Sequence, residues 1–180
     1  MTIELVAHDP SWNDQADLLI EDLRFLLGGA VTRLDHVGST SIPDLKTKPK
    51  LHIDVVLRPG TSPEPLSTDL EEYGYANLGY LHRAKEIQLT RSRGCRFGPN
   101  GSGPGTTVMA HRLCICQSDC VAPVERRRFR DALRNDAALV REYENLKQDL
   151  VERFGLLPDW ESYNRGKTNF IKAVVEDRWP

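Results

Sequence analysis

Residues 36–56 constrain the fold most. Within them a Gly-Ser turn and a basic, proline-bounded connection join the end of one short apolar segment, 31–37, to the start of another, 51–56. The second segment reads Leu-His-Ile-Asp-Val-Val. Its alternation with period two predicts a β-strand whose two faces differ. His52 and Asp54 then share one face, and burying these polar groups without partners costs free energy. We therefore take that face as the candidate site.

The rest of the chain predicts an α+β protein, because helical spacing of apolar residues occurs near the start and in the last third, with strand-like segments between. We expect one domain, with an α/β core over 1–120 and a helical layer over 121–180. A glycine-rich stretch over 92–105 predicts a mobile lid or binding loop. The predicted helices cover 10–27, 65–73, 123–134, 136–154 and 160–175, and the predicted strands cover 31–37, 51–56, 75–80, 86–90 and 106–117.

The protein as a whole is not expected to produce a strong electrostatic field, because its formal net charge is only −2 although 28% of its residues are charged. Over 81–112, however, bases outnumber acids by six to one. This local excess favours a phosphorylated small molecule as partner over nucleic acid. No apolar run approaches the ~20 residues that span a bilayer, so no membrane contact is expected. The first residues lack a signal-peptide pattern, so we expect a cytoplasmic protein, and its oligomeric state stays open.

Four cysteines raise the question of a metal or a disulfide. In a reducing compartment we expect them to be free thiols. Three of them have the spacing Cys-x-Cys-x3-Cys, which is not typical of a Cys-x2-Cys zinc knuckle, so zinc is the weaker interpretation. The cysteines are Cys95, Cys114, Cys116 and Cys120.

Three motifs in this chain resemble those of the GrpB family, a group of small proteins in the nucleotidyltransferase superfamily. The resemblance covers nearly the whole chain. It implies a nucleotidyltransferase-like mixed sheet with an N-terminal helix and a C-terminal layer of about three helices. The motifs are Gly38-Ser39-Thr40-Ser41-Ile42-Pro43, Lys48-Pro49 and Tyr163-x3-Lys167-x2-Phe170-Ile171.

The resemblance also implies a site that binds a nucleoside triphosphate together with Mg²⁺ or Mn²⁺. Asp54 would be a metal ligand and catalytic residue, and His52 stands where the family has the first of two acids. Lys167 falls inside an apolar helical stripe, which indicates either snorkelling to water or a bound anion. The expected phosphate-binding residues are Gly38, Ser39, Thr40, Ser41, Lys48, Arg112 and Lys167.

The histidine leaves two functions open, because imidazole is a poor ligand for Mg²⁺ and a better one for softer metals. The first is transfer of a nucleotide to a small acceptor, with Asp54 and His52 as the catalytic and metal-binding residues. The second is a non-catalytic nucleotide- or anion-binding module on the same fold. Glu86 is the nearest candidate for a further acid. The four arginines within 126–130 are interpreted as part of a mixed, solvated helix surface.

Overall fold

A five-stranded mixed sheet organises the chain in the computed structural model, which describes residues 3–81, 83–97, 107–154 and 159–177. Its strand order is β1-β2-β7-β4-β3, with β2 and β7 parallel and the other neighbours antiparallel. A separate two-stranded ribbon pairs β5 with β6. The strands are β1 Val31–Val37, β2 Leu51–Leu57, β3 Ala76–Gly79, β4 Glu86–Arg91, β5 Gly94–Cys95, β6 Thr107–Val108 and β7 His111–Cys116.

Five helices accompany the sheet, one near the N-terminus, one between β2 and β3, and three after β7. The expected α+β class with an N-terminal helix and a C-terminal layer of three helices is therefore confirmed. None of the helices among the described residues has the length and apolar character needed to cross a membrane. The helices are α1 Ser11–Leu27, α2 Pro63–Glu71, α3 Ala122–Arg134, α4 Ala137–Phe154 and α5 Trp160–Asp177, with short 3-10 turns at Gly28–Ala30 and Ser39–Ser41.

The two faces of the sheet are covered differently. Odd-numbered positions of β2 and β7, with Ile87 and Leu89 of β4, pack against α1 and form the main apolar core. Trp12 and Leu19 of α1 are buried there, which agrees with the helical spacing in the sequence. The even-numbered positions of β2 and β7 point to the opposite side, which α3 covers. A second core joins the 42–45 connection to the three C-terminal helices.

The single strand predicted over 106–117 is wrong, because the structure divides it into β6 and β7. Met109 and Ala110 break the pairing and make other hydrogen bonds: the Met109 amide donates to Oε1 of Gln15 at 3.1 Å, and the Ala110 carbonyl accepts from Leu51 at 3.0 Å. Most of the predicted glycine-rich loop, residues 98–105, and the first residue of that predicted strand lie outside the described residues.

Candidate functional site

The register of the sheet brings polar residues of neighbouring strands side by side under α3. His52 of β2 lies beside Arg112 of β7, and Asp54 lies beside Cys114. On the other side, Asp35 of β1 is paired with Asp54. The face that the alternation in β2 singled out is therefore a continuous polar surface that extends over several strands.

A cavity of about 480 Å³ opens at the His52 end of this surface, between the sheet, the 47–50 connection and the last two helices. We call it the cationic cavity. Of the ten residues that line it in the described part of the chain, five are cationic and none is acidic. Its lining residues are Ser39, Thr47, Lys48, Lys50, His52, Arg112, Lys147, Tyr163, Asn164 and Lys167.

Three lysines approach the cavity from different segments and rest on aromatic rings. The Nζ atoms of Lys48 and Lys167 lie 4.7 Å and 4.4 Å from the ring centre of Tyr163, a favourable cation–π geometry. The Nζ of Lys147 lies 5.1 Å from the ring centre of Tyr143 and donates to the carbonyl of Lys46. The aromatic rings hold the lysine head groups in place but provide no full counter-charge.

Burial lowers the pKa of all three lysines. Together with the nearby charges of Arg112 and Lys50, it lowers the pKa of Lys48 to about 8. It lowers the pKa of Lys167 to about 7, helped by repulsion from Lys48 and Lys147. The pKa of Lys147 also falls to about 7 through burial, although Glu144 opposes the change. An anion in the cavity would relieve this repulsion and restore the lysines' charge.

Arg112 and His52 complete the sheet side of the cavity. Arg112 donates from Nη1 to Oε1 of Gln88 at 3.1 Å. Burial, and then the charges of Arg112 and Lys50, lower the pKa of His52 to about 3, so its imidazole is neutral. Gly38 packs behind this ring: it has a φ of +74°, and an added Cβ would lie 3.2 Å from Nδ1 of His52. Gly38 thus shapes the cavity from behind the histidine.

The Gly-Ser turn contributes less to the cavity than the sequence predicted. Ser39 lines it. Thr40 and Ser41 are buried elsewhere, and their hydroxyls are used inside the fold. The Thr40 Oγ1 lies 3.0 Å from Nε2 of His36, and the Ser41 Oγ donates to the carbonyl of Gly38 at 2.6 Å. The structure therefore does not bring the Thr40 and Ser41 hydroxyls to the cationic cavity.

Asp54 also lies outside the cavity lining, in a neighbouring cluster that we call the acid centre: Asp54, Glu86 and Arg126. Both carboxylates are buried, with exposed fractions of 0% and 1%. Arg126 of α3 bridges them, since its Nε donates to Oδ2 of Asp54 at 2.9 Å and its Nη2 donates to Oε2 of Glu86 at 2.6 Å. The acid that the sequence suggested as nearest, Glu86, therefore does join Asp54.

The arginine controls the ionisation of the acid centre. Burial raises the pKa of Asp54 to about 6, although the charge and hydrogen bond of Arg126 oppose this. Burial alone would also raise the pKa of Glu86, but Arg126 holds it below its usual value. The two carboxylates in turn raise the pKa of Arg126, against the effect of its own burial. The arrangement is a charged, bidentate bridge between two acids.

The acid centre does not fit the Mg²⁺ or Mn²⁺ that the family resemblance implies. Mg²⁺ prefers octahedral oxygen ligands and retains several waters. Here the guanidinium of Arg126 takes the position between Asp54 and Glu86. A divalent ion could use both carboxylates only if that side chain moved away. His52 adds no charge, because its imidazole is neutral and lies on the cavity side.

The cysteines do not change this conclusion. All four are free, as expected. Glu86, Cys116 and Cys120 have ligand atoms within 4.8 Å of one another, but Arg126 also lies 3.5 Å from Sγ of Cys116. Burial raises the pKa of Cys116, which disfavours the thiolate that zinc requires.

Sequence reasoning missed two central residues, Arg126 and Lys147. Both lie at helical spacing from buried apolar residues of their own helix, and this spacing could have indicated that they face the interior. Arg126 lies three residues before Phe129 and seven before Leu133, two buried residues of α3. Lys147 lies four residues after Tyr143 and three before Leu150, on the buried stripe of α4.

Comparisons with known proteins agree with this architecture. The model of the family described as "GrpB protein" matches residues 2–177. The chain belongs to the GrpB family. The crystal structure of the conserved protein GrpB from Enterococcus faecalis has a TM-score of 0.77 and 24% identity, and covers 97% of this chain and 96% of its own. This GrpB-family fold is therefore shared over nearly the full described length.

Curated GrpB relatives are similar over the same range. A UPF0157 protein of Pseudomonas aeruginosa is 30% identical over 173 residues, covering 96% of this chain and 66% of the relative. The glutamate-rich protein GrpB of Alkalihalophilus pseudofirmus is 26% identical over 176 residues, covering 96% of this chain and 94% of the relative. The chain thus spans about two thirds of the first relative and nearly all of the second.

Proposed function

We propose that this GrpB-family protein binds a small phosphorylated ligand, such as a nucleoside triphosphate, in the cationic cavity. The observation that supports the proposal is the charge of the lining, five cations and no carboxylate among the described residues. Cationic groups held close together repel one another, and a polyanion removes that repulsion. This is the non-catalytic alternative of the two functions that the sequence left open.

The size and depth of the cavity favour a small molecule over a polynucleotide. Its volume of about 480 Å³ is in the range of small-molecule sites. The cations converge from four segments around one space, so they can surround the phosphates of one ligand. In this proposal Arg112, Lys48 and Lys167 neutralise phosphate charge, and the hydroxyl of Ser39 donates a further hydrogen bond. A cytoplasmic location, where thiols stay reduced, is consistent with the four free cysteines.

A second candidate is nucleotide transfer to a small acceptor, with Mg²⁺ or Mn²⁺. One observation favours it: Glu86 provides a second carboxylate beside Asp54, as such a site needs. It requires, however, that Arg126 release at least one of these acids. Binding without transfer needs no such rearrangement, and we therefore prefer it.

Isothermal titration calorimetry tests the proposal, with tripolyphosphate, adenosine triphosphate and adenosine monophosphate as probes in buffer containing EDTA. We expect the two triphosphate compounds to bind more tightly than the monophosphate. Lys167→Ala and Arg112→Gln should each weaken binding about tenfold or more, because a hydrogen bond to a charged group contributes about 1.5–3 kcal/mol. Lys172→Ala, which removes an exposed lysine of the same helix as Lys167, serves as the matched control.

Two results would contradict binding in the cavity: no heat with any probe, or equal effects of Lys167→Ala and Lys172→Ala. Release of pyrophosphate from adenosine triphosphate that requires Mn²⁺ and is lost in Asp54→Ala would instead support transfer.

A further inference from the structure

Every acid on the polar face of the sheet is engaged by arginine. Arg126 bridges Asp54 and Glu86. The neighbouring Asp35 accepts a hydrogen bond from Nε of Arg33 at 2.6 Å, and Nε of Arg127 lies 3.8 Å from the same carboxylate. We propose that the guanidinium of Arg126 replaces a divalent cation at the acid centre, so that the native protein holds no metal there and gains a metal site when this side chain is removed.

The position of Arg126 supports replacement, because its guanidinium occupies the space between the carboxylates. Its two contacts come from different nitrogens, so the charge is shared between the acids as a bridging ion would share it. Asp54 and Glu86 belong to β2 and β4, which β7 separates in the sheet. The carboxylates are therefore held by the sheet, while the cation comes from α3 on the covering layer.

Arginine suits this role better than lysine would. Its guanidinium stays charged at every pH at which proteins fold, and its planar fork can donate to two carboxylates at once. The side chain of Arg126 is about one quarter exposed, at 27%, so removing it would open a path from solvent to the acids. Water could then enter together with a hydrated ion.

The acid centre also retains ligand capacity beyond what Arg126 uses. Among the described residues, Oδ1 of Asp54 accepts no hydrogen bond, although Nε of Arg126 lies 2.9 Å from it. A buried carboxylate oxygen without a hydrogen bond is uncommon in folded proteins. With Arg126 absent, this oxygen and Glu86 would present two buried anionic ligands to a cation such as Mn²⁺.

The inference is independent of the phosphorylated ligand, because it concerns metal binding to the protein alone. Mn²⁺ binding is measured by electron paramagnetic resonance on the wild type, Arg126→Ala and Arg126→Ala/Glu86→Gln. We expect no Mn²⁺ binding in the wild type and one Mn²⁺ per chain in Arg126→Ala. The added Glu86→Gln change should abolish it. Arg165→Ala, which removes an arginine that is 70% exposed, is the control and should resemble the wild type.

Thermal unfolding provides a second readout. Arg126→Ala should unfold at a lower temperature than the wild type and recover part of the loss when Mn²⁺ is added, whereas Arg165→Ala should not respond. If Arg126→Ala does not fold without metal, refolding it with and without Mn²⁺ gives the same comparison. Mn²⁺ binding to the wild type that Asp54→Asn removes would overturn the inference, as would a folded Arg126→Ala that binds no Mn²⁺.

Discussion

The acid centre and the cationic cavity lie side by side on one face of the sheet, yet they treat charge in opposite ways. In the acid centre two buried carboxylates are matched by one guanidinium within hydrogen-bond distance. In the cavity five basic side chains face one another, and no carboxylate lines it among the described residues. In the acid centre the counter-charge comes from within the protein, whereas for the cavity we propose that it comes from a bound anion.

The difference shows how a charged cluster can be assigned to structure or to binding. Burying a charge is costly, and a partner within the protein offsets that cost permanently. In the cavity, burial and the repulsion among the lysines outweigh the internal partners, and the pKa values of Lys147 and Lys167 are lowered. We propose that such a cluster favours the binding of an anion. Removing a charge should therefore destabilise the acid centre strongly and the empty cavity very little.

The largest expected effect is that of Arg126→Met, which keeps an apolar stem but leaves Asp54 and Glu86 without a cation. Removing one partner of a buried ion pair typically costs about 3–5 kcal/mol. Urea unfolding at pH 7 should show this loss. Arg165→Met should change the free energy of unfolding by less than about 1 kcal/mol, because Arg165 forms an exposed pair with Glu161. Equal losses in the two variants would mean that the acid centre is not a buried bridge.

An intermediate effect is expected for Gly38→Ala, on the cavity side behind His52. Gly38 has a φ of +74° and a ψ of −175°, a region essentially restricted to glycine, so a side chain there costs about 1–3 kcal/mol, and the new Cβ would also press on His52. Gly60→Ala is a matched control, since Gly60 has a φ of +80° but open space around it. Both variants should lose stability in urea unfolding, but only Gly38→Ala should also weaken tripolyphosphate binding. If both bind equally well, the histidine does not shape the cavity.

The smallest expected effect is a change in the pH dependence of stability on replacing Lys167 with methionine. In the unfolded chain this lysine binds a proton up to about pH 10.5, and in the folded protein only up to about pH 7. Between these values the unfolded chain holds more protons, so the free energy of unfolding rises with pH through this group, by at most about 1.4 kcal/mol per pH unit. Lys167→Met should therefore show a shallower rise than the wild type.

This comparison is made between variants because other groups titrate in the same range. Burial raises the pKa of the thiols of Cys114 and Cys116, which acts in the opposite direction, but their contribution cancels in the difference. Urea unfolding at pH 7 and pH 8 gives the slopes, with Lys172→Met as control. Identical slopes for the wild type and Lys167→Met would show that Lys167 is charged in the empty cavity. Saturating tripolyphosphate should flatten the wild-type slope by restoring the proton.

Local patterns predicted much of this fold. The alternation in β2 placed His52 and Asp54 on one face, and a single lysine inside an apolar stripe pointed to Lys167 at the cavity. These predictions succeed because period and phase are properties of short segments. The same reasoning, applied to α4, would have identified Lys147.

The long-range contacts could not be predicted in this way. Glu86 meets Asp54 through Arg126, and that meeting depends on the antiparallel register of β4 with β7 and on the position of α3 above the sheet. Among four arginines so close in sequence, charge counting indicated a solvated surface. The helical phase of α3 places Arg126 near the buried stripe, but only the tertiary packing of α3 over the sheet brings its guanidinium to both Asp54 and Glu86.

The cavity wall formed by Tyr163 and Lys167 belongs to α5, the last of the described elements, whereas Ser39, Lys48 and His52 come from the first third of the chain. Chains are synthesised from the N-terminus, and their early parts can fold first. A nascent chain on the ribosome can therefore form the sheet before α5, which carries Tyr163 and Lys167, has been synthesised. If the cavity binds the phosphorylated ligand that we propose, binding would require that α5 has been synthesised and has docked.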